Sequence, residues 1–213
     1  MSDERASDRP VHEMLEFFTL AEKLKTELRH SWLSNGRQES VADHCWLMAL
    51  MAMVISPHLE HAVNLQRVLL LIAVHDIAET KVGDIPYFEQ SERKTNKAAA
   101  ERSAMAEIVT MFSDPTGANI ASLWQEFEDG TTMEARFVRA LDHLEVQFQH
   151  NLAAIETWEP CEYSLVYTKM TDRCAHDRGL TRVAQAIRSR AELKLVAAGV
   201  DIGALRAGLD NSL

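Results

Sequence analysis

Apolar positions recur at helical spacing along almost the whole chain. Over 11–28, Met14, Leu15, Phe17, Phe18, Leu20, Ala21 and Leu24 form a one-sided stripe behind Pro10, a residue suited to a first helical turn. Ser40 is placed to cap a second helix over 41–55, and Ser56-Pro57 stops it. That helix is apolar almost all round, so it is expected to be central and buried. A third spans 64–77 and leads into Thr80-Lys-Val-Gly-Asp-Ile-Pro86, which reads as a turn. A polar helix covers 93–112, a short one 119–127 and a long amphipathic one 132–154, with Phe137, Leu141, Leu144, Phe148 and Leu152 along one face. Helices over 163–174 and 180–198 follow, the last ended by Gly199. Gly and Pro number only 8 and 5, and no alternation bounded by hairpin turns appears. The expectation is an all-α bundle: one domain over 1–213, with its core at about 11–151 and C-terminal helices over 160–200 packed on it.

Four polar residues break the apolar runs. His75-Asp76 closes Val68-Leu-Leu-Leu-Ile-Ala-Val74, His44 lies within the apolar second helix, and Asp142 sits beside Leu141 on the long amphipathic one. A buried imidazole or carboxylate is costly without a partner charge or hydrogen bonds, and a divalent cation supplies that partner directly. Taken singly, each has an ordinary explanation: a hydrogen-bonded core histidine, a helix cap, a salt bridge to an arginine. Taken together they supply nitrogen and oxygen ligands from three helices, in outline a metal site in a bundle core. His75 and Asp76, about 100° apart on a helix, would flank a cation at the helix edge.

Bulk numbers narrow the partners. The 213 residues carry a formal net charge of -10, which argues against nucleic-acid polymers and anionic membrane surfaces as partners. Cys45, Cys161 and Cys174 are widely spaced and form no C-x-x-C pair, as expected of reduced thiols in a cytoplasmic protein. The first ten residues are polar, and no apolar run reaches membrane-spanning length.

The order His44, His75-Asp76, Asp142 resembles the defining pattern of the HD-domain metal-dependent phosphohydrolases, an all-α fold. Glu39-Ser-Val-Ala-Asp-His44, His75-Asp-Ile-Ala-Glu-Thr-Lys-Val-Gly-Asp84-Ile-Pro86 and Ala135-Arg-Phe-Val-Arg-Ala-Leu-Asp142-His-Leu-Glu145 are similar to the 5′-deoxynucleotidase branch. The resemblance runs from about 11 to 151. It implies hydrolysis of (deoxy)nucleoside 5′-monophosphates to nucleoside and phosphate by metal-activated water, one divalent ion (Mn, Co, Fe, Ni or Zn) held by His44, His75, Asp76 and Asp142, and a homodimer. Glu79 is assigned to water activation or proton transfer and Asp84 to a supporting proton-handling role. Glu145 is either an acceptor for a ligand histidine or a helix-surface charge. Arg29 and Arg37 are the candidates for gripping phosphate, and Trp32 for contacting sugar or base. Dinuclear oxygenases of the superfamily need further histidines, and residues 77–141 hold none. Cyclic or polyphosphorylated nucleotides remain alternative substrates, and a non-catalytic metal-binding module has no need of Glu79 and Asp84.

Overall fold

The computed structural model describes residues 2–210. Met1 and residues 211–213 of the expected 1–213 domain lie outside the described residues. The chain is helical as expected, with two additions, a short hairpin and a last helix. α1 (Ser2–Ala21) starts ahead of Pro10, so the proline lies inside the helix rather than at its first turn. A 3-10 turn, Glu22–Lys25, then inserts Leu24 into the core.

Where no strand was expected, β1 (Leu28–Trp32) pairs antiparallel with β2 (Gln38–Ser40). Leu28 faces Ser40 and Trp32 faces Gln38, so β1 carries extra residues between the paired ends. Gly36, at φ 85°, makes the turn, with its N–H donating to the Leu33 carbonyl. The hairpin is invisible to alternation because β2 is only three residues long and neither strand has a regular apolar face.

α2 (Val41–Ile55) follows directly and starts on a reciprocal cap. Ser40 Oγ accepts from the Asp43 N–H at 3.1 Å, and Asp43 Oδ2 accepts from the Ser40 N–H at 2.9 Å. Such a cap is worth about 1 kcal/mol and fixes where the helix begins, hence which way His44 points. The expectation of all-round burial fails. Val41, His44, Met48, Ala52 and Ile55 are buried, but Trp46, Leu50, Met53 and Val54 on the other side are exposed.

α3 (Leu65–Val74) is capped by Asn64 and ends one residue before His75. A tight turn follows, with the Ile77 N–H donating to Val74 and the Glu79 N–H to Asp76. Part of the segment read as a turn is helical: α4 (Glu79–Val82) stops at Gly83, which has φ 76°. A side chain at Gly83 would also meet Glu27 Oε1 at 3.0 Å, the atom that accepts the Asp84 N–H at 2.9 Å.

Next come α5 (Glu92–Val109), α6 (Thr116–Asp129) and the 20-residue α7 (Met133–Leu152). α8 (Glu162–Cys174), α9 (Arg178–Ala197) and α10 (Ile202–Asp210) complete the described chain, the last not anticipated from the pattern. α7 is the axle of the structure: it packs on α2, α3, α6, α8 and α9. Its Phe137, Val138, Leu141 and Leu144 are wholly buried, and one core cluster joins them to Met48, Leu71, Met170 and Leu180. A second cluster gathers Leu24, Val41, Ile77, Met105, Ile108 and Trp124, joining the 3-10 turn and the start of α2 to α5 and α6.

α7 also buries His150, whose ring Nε2–H donates to the His30 carbonyl at 3.2 Å. Burial pushes its pKa down from 6.5 to about 4. A histidine depressed on folding stabilises fully above its unfolded pKa and loses that contribution as pH falls from 6.5 towards 4. The loss is on the order of 3 kcal/mol. His150→Gln should therefore flatten the fall in urea midpoint across that pH window; an unaltered slope would show that other groups set acid stability.

Candidate metal centre

α2, the end of α3 and α7 bring His44, His75 and Asp142 to one place, with ligand atoms within 4.8 Å of one another. His44 Nε2 is 3.4 Å from Asp142 Oδ1. Asp76 lies at the same spot, its Oδ2 3.2 Å from His75 Nε2. The other nitrogen of each ring is held by a fixed partner. His44 Nδ1 is bonded at 2.5 Å to Glu145 Oε2, and His75 Nδ1–H donates to the Ile72 carbonyl at 2.9 Å. Both rings thus turn Nε2 inward, the arrangement in which an outer partner sets the tautomer and aims the ligand nitrogen. Glu145 is wholly buried, which decides between its two sequence readings: it faces His44, not the surface.

The inward atoms are under-satisfied. His44 Nε2, His75 Nε2 and Asp76 Oδ2 are buried without a hydrogen-bond partner. Carboxylates crowd the same region: Asp76, Asp142, Asp84, Glu79, Glu39 and Glu145. Burial and the Arg29 charge push the His44 ring's pKa down, but Glu145 and Asp142 more than reverse this and hold it up at about 10. Burial raises the Asp76 carboxyl, yet His75, Arg29 and His44 outweigh it and keep it well below the usual carboxylate range. Burial first, then the neighbouring Asp76 and Asp84 charges, lifts Glu79 to about 9. Glu39 is raised to about 7, again chiefly by burial. Stranded donor atoms amid crowded buried carboxyl groups suit a divalent cation, and the nitrogen-and-oxygen donor set is one that such ions accept. Cys45, not singled out from sequence, also comes within 4.8 Å of His75 and Asp76 ligand atoms. Its position next to His44 was the available signal.

These groups open into a cavity of about 250 Å³ lined by Arg29, Asp76, Asp84 and Asp142. The Arg29 side chain is largely buried and stands 3.5 Å from Asp76 Oδ2, 3.5 Å from Glu39 Oε2 and 4.0 Å from Asp84 Oδ1. Burial opposes its charge, but Asp84 and Asp76 hold its pKa above the normal arginine value. Glu79 Oε1 lies 3.2 Å from Lys97 Nζ, while its Oε2 has no partner. Arg37 and Trp32 do not reach the cavity. Arg37 is half exposed and pairs with Asp43 at 2.8 Å, at the start of α2. Trp32 gives its carbonyl to Gln149 and its ring edge to His30. Both belong to the turn end of the hairpin, whereas Arg29 sits at its base beside the metal-site residues. Sequence reasoning missed Lys94, Lys97 and Lys169, which line the cavity and supply further positive charge. Lys94 and Lys97 are one helical turn apart on α5 just after the Gly83-Asp84 turn, and that spacing was legible.

A family model described as the HD domain matches residues 21–179, and the chain belongs to that family. It is 36% identical over 138 residues to the 5′-deoxynucleotidase HDDC2 of Danio rerio, covering 64% of this chain and 67% of that one. The Homo sapiens 5′-deoxynucleotidase HDDC2 is 35% identical over 145 residues, 67% of this chain and 69% of its own. A solved structure described as a predicted metal-dependent phosphohydrolase from Magnetospirillum magnetotacticum superposes with a TM-score of 0.77 at 26% identity, covering 91% of this chain and 97% of that one. Family and donor chemistry agree on a divalent metal.

Glu145→Ala should lower divalent-metal affinity about 10- to 100-fold, because His44 loses the partner that fixes its ring. Competition against a chromogenic chelator measures this. Wild-type affinity in the variant would remove Glu145 from the site.

Proposed function

We propose that this chain is a divalent-metal-dependent phosphomonoesterase acting on (deoxy)nucleoside 5′-monophosphates. The observation that carries it is the convergence of two unpaired, inward-facing imidazole nitrogens with Asp76 and Asp142 on a cavity that also holds Arg29, Lys94 and Lys97. The names of the relatives support the substrate class. In this reading His44, His75, Asp76 and Asp142 hold one ion, of the set Mn, Co, Fe, Ni or Zn. Such an ion, when bound, acidifies a water and polarises a phosphoryl oxygen.

The chain's own residues do the rest. Arg29 offers a planar guanidinium to phosphate oxygens, and its contacts to carboxylates, at 3.5 Å or more, are loose enough for phosphate to compete. Lys94 also donates to the Ile85 and Pro86 carbonyls, holding the loop after Asp84 over the cavity. Glu79, with one oxygen anchored near Lys97 and the other free, handles the proton of the attacking water. Asp84, fixed through its backbone N–H to Glu27, supports that transfer from the far side of Arg29.

The same reading treats 1–213 as one domain and places the protein, with its three free cysteines, in the cytoplasm. It also makes the molecule a homodimer joined through the exposed Leu50 and Val54 of α2 and the neighbouring Val183 of α9. Sedimentation should then give twice the 24.0 kDa chain mass, and Val54→Glu should return it to one.

The decisive assay is phosphate release from deoxy- and ribonucleoside 5′-monophosphates by apoprotein reloaded with each metal. Glu79→Gln should cut kcat about 10²- to 10⁴-fold while leaving metal content unchanged. Undiminished turnover in that variant would strip Glu79 of its role, and no phosphate release from any monophosphate would end the reading.

A further inference from the structure

Beyond the metal-site carboxylates, the cavity wall carries one more buried acid. Glu162 opens α8, is 6% exposed and lines the same cavity as His30, Phe88 and Gln147. Its Oε2 accepts the Glu159 N–H at 2.7 Å and lies 3.7 Å from His30 Nε2. That nitrogen is buried and has no hydrogen-bond partner. His30 in turn sets its ring edge-on to Phe88, centroids 4.8 Å apart, so the acid sits beside an aromatic wall.

Among the described residues, no cation neutralises Glu162. Burial drives the His30 pKa down, which leaves that ring uncharged near neutral pH. The charged group that acts on Glu162 is another acid, Glu159, and burial has lifted Glu162 to about 7. A largely buried carboxylate with one oxygen tied to the backbone and no positive partner lacks a donor. It lies on the wall of the cavity that receives the substrate.

We propose that Glu162 is the specificity-determining residue of this cavity, accepting a hydrogen bond from the exocyclic amino group of the nucleobase. The proposal rests on the nucleotide reading above. Cytosine, adenine and guanine each carry such an amino group. Thymine and uracil instead offer one ring N–H flanked by two carbonyl oxygens, which Glu162 repels once it is ionised, so the discrimination is greatest above about pH 7 and the assays are run at pH 8. The cavity therefore takes amino-bearing bases in preference to thymine and uracil.

The cleanest test compares dCMP with dUMP, which differ at the amino-bearing carbon and its adjacent ring nitrogen. In Glu162→Gln the side-chain oxygen can still accept the Glu159 N–H, while the new amide N–H₂ faces the cavity and suits the uracil carbonyl. The dCMP-to-dUMP ratio of kcat/KM should fall at least about tenfold, mostly through KM, with dUMP improving outright. Glu162→Ala should weaken dCMP alone. Metal content and hydrolysis of 2-deoxyribose 5-phosphate, which has no base, should be unchanged in both variants. An unaltered ratio overturns the proposal. So does an equal loss on dCMP, dUMP and the base-free ester, which would make Glu162 only a brace for the start of α8. A wild type that hydrolyses no nucleoside monophosphate overturns the nucleotide reading itself, and this inference with it.

Discussion

A surplus of buried carboxyl groups around two imidazoles governs this structure. Asp76, Asp142, Glu79, Glu39 and Glu145 lie within a small volume, and they cannot all ionise beside Arg29 and Lys97 alone: Glu79 is lifted to about 9, Glu39 to about 7, and His44 is held protonated. Each buried ion costs several kcal/mol unless it is paired well. The surroundings show how tightly the arrangement is held. The Ser40–Asp43 cap sets where α2 starts, the tight turn after Val74 brings Asp76 Oδ2 to 3.2 Å from His75 Nε2, and Gly83 lets the chain pass close to Glu27. α7 contributes twice: Asp142 faces the ligand cluster, and Glu145, three residues on, braces the ring of His44. The two α7 roles follow from helical spacing, since residues three apart share a face.

The same charge distribution divides the cavity. Near the metal-site residues Arg29, Lys94 and Lys97 gather positive charge, the environment a phosphate needs. Beside His30 and Phe88 the wall is aromatic and carries Glu162, which suits a flat, nitrogen-bearing group. β1 serves both environments from one short strand: Arg29 and His30 are adjacent and both line the cavity, on a stretch whose extra residues break the regular alternation.

The helices and the cluster of four candidate ligands were legible, the first from periodicity and the second from polar breaks in apolar runs. Ser40, Asn64 and Thr132 all cap where the pattern placed a start, and His44, His75, Asp76 and Asp142 stand out as polar breaks in apolar runs. The hairpin was not legible, since three residues of β2 cannot show alternation. That gap carries over to the substrate residues. Without the hairpin, Arg29, Trp32 and Arg37 look equivalent, as neighbours on a loop before His44. Folded, they separate by their distance from the turn, and only Arg29 remains at the cavity. Lys94, Lys97, Lys169 and Glu162 were missed for a different reason. A charge on a polar helix looks solvated until another element closes over it, and only tertiary packing reveals which face that is.

α2 exposes the limit of reading burial from one chain. Its composition is that of a helix covered on every side, yet Trp46 is 65% and Val54 68% exposed. The sides facing α3 and α7 are satisfied by the core, and the ligand histidine sits among them. The remaining side lies beside α9 along a groove lined by Leu47, Leu50, Met51 and Val183, almost wholly apolar. On the homodimer reading, the failed expectation and the groove are one fact: the pattern describes the helix in its assembled surroundings, and the single chain shows the face before it is covered.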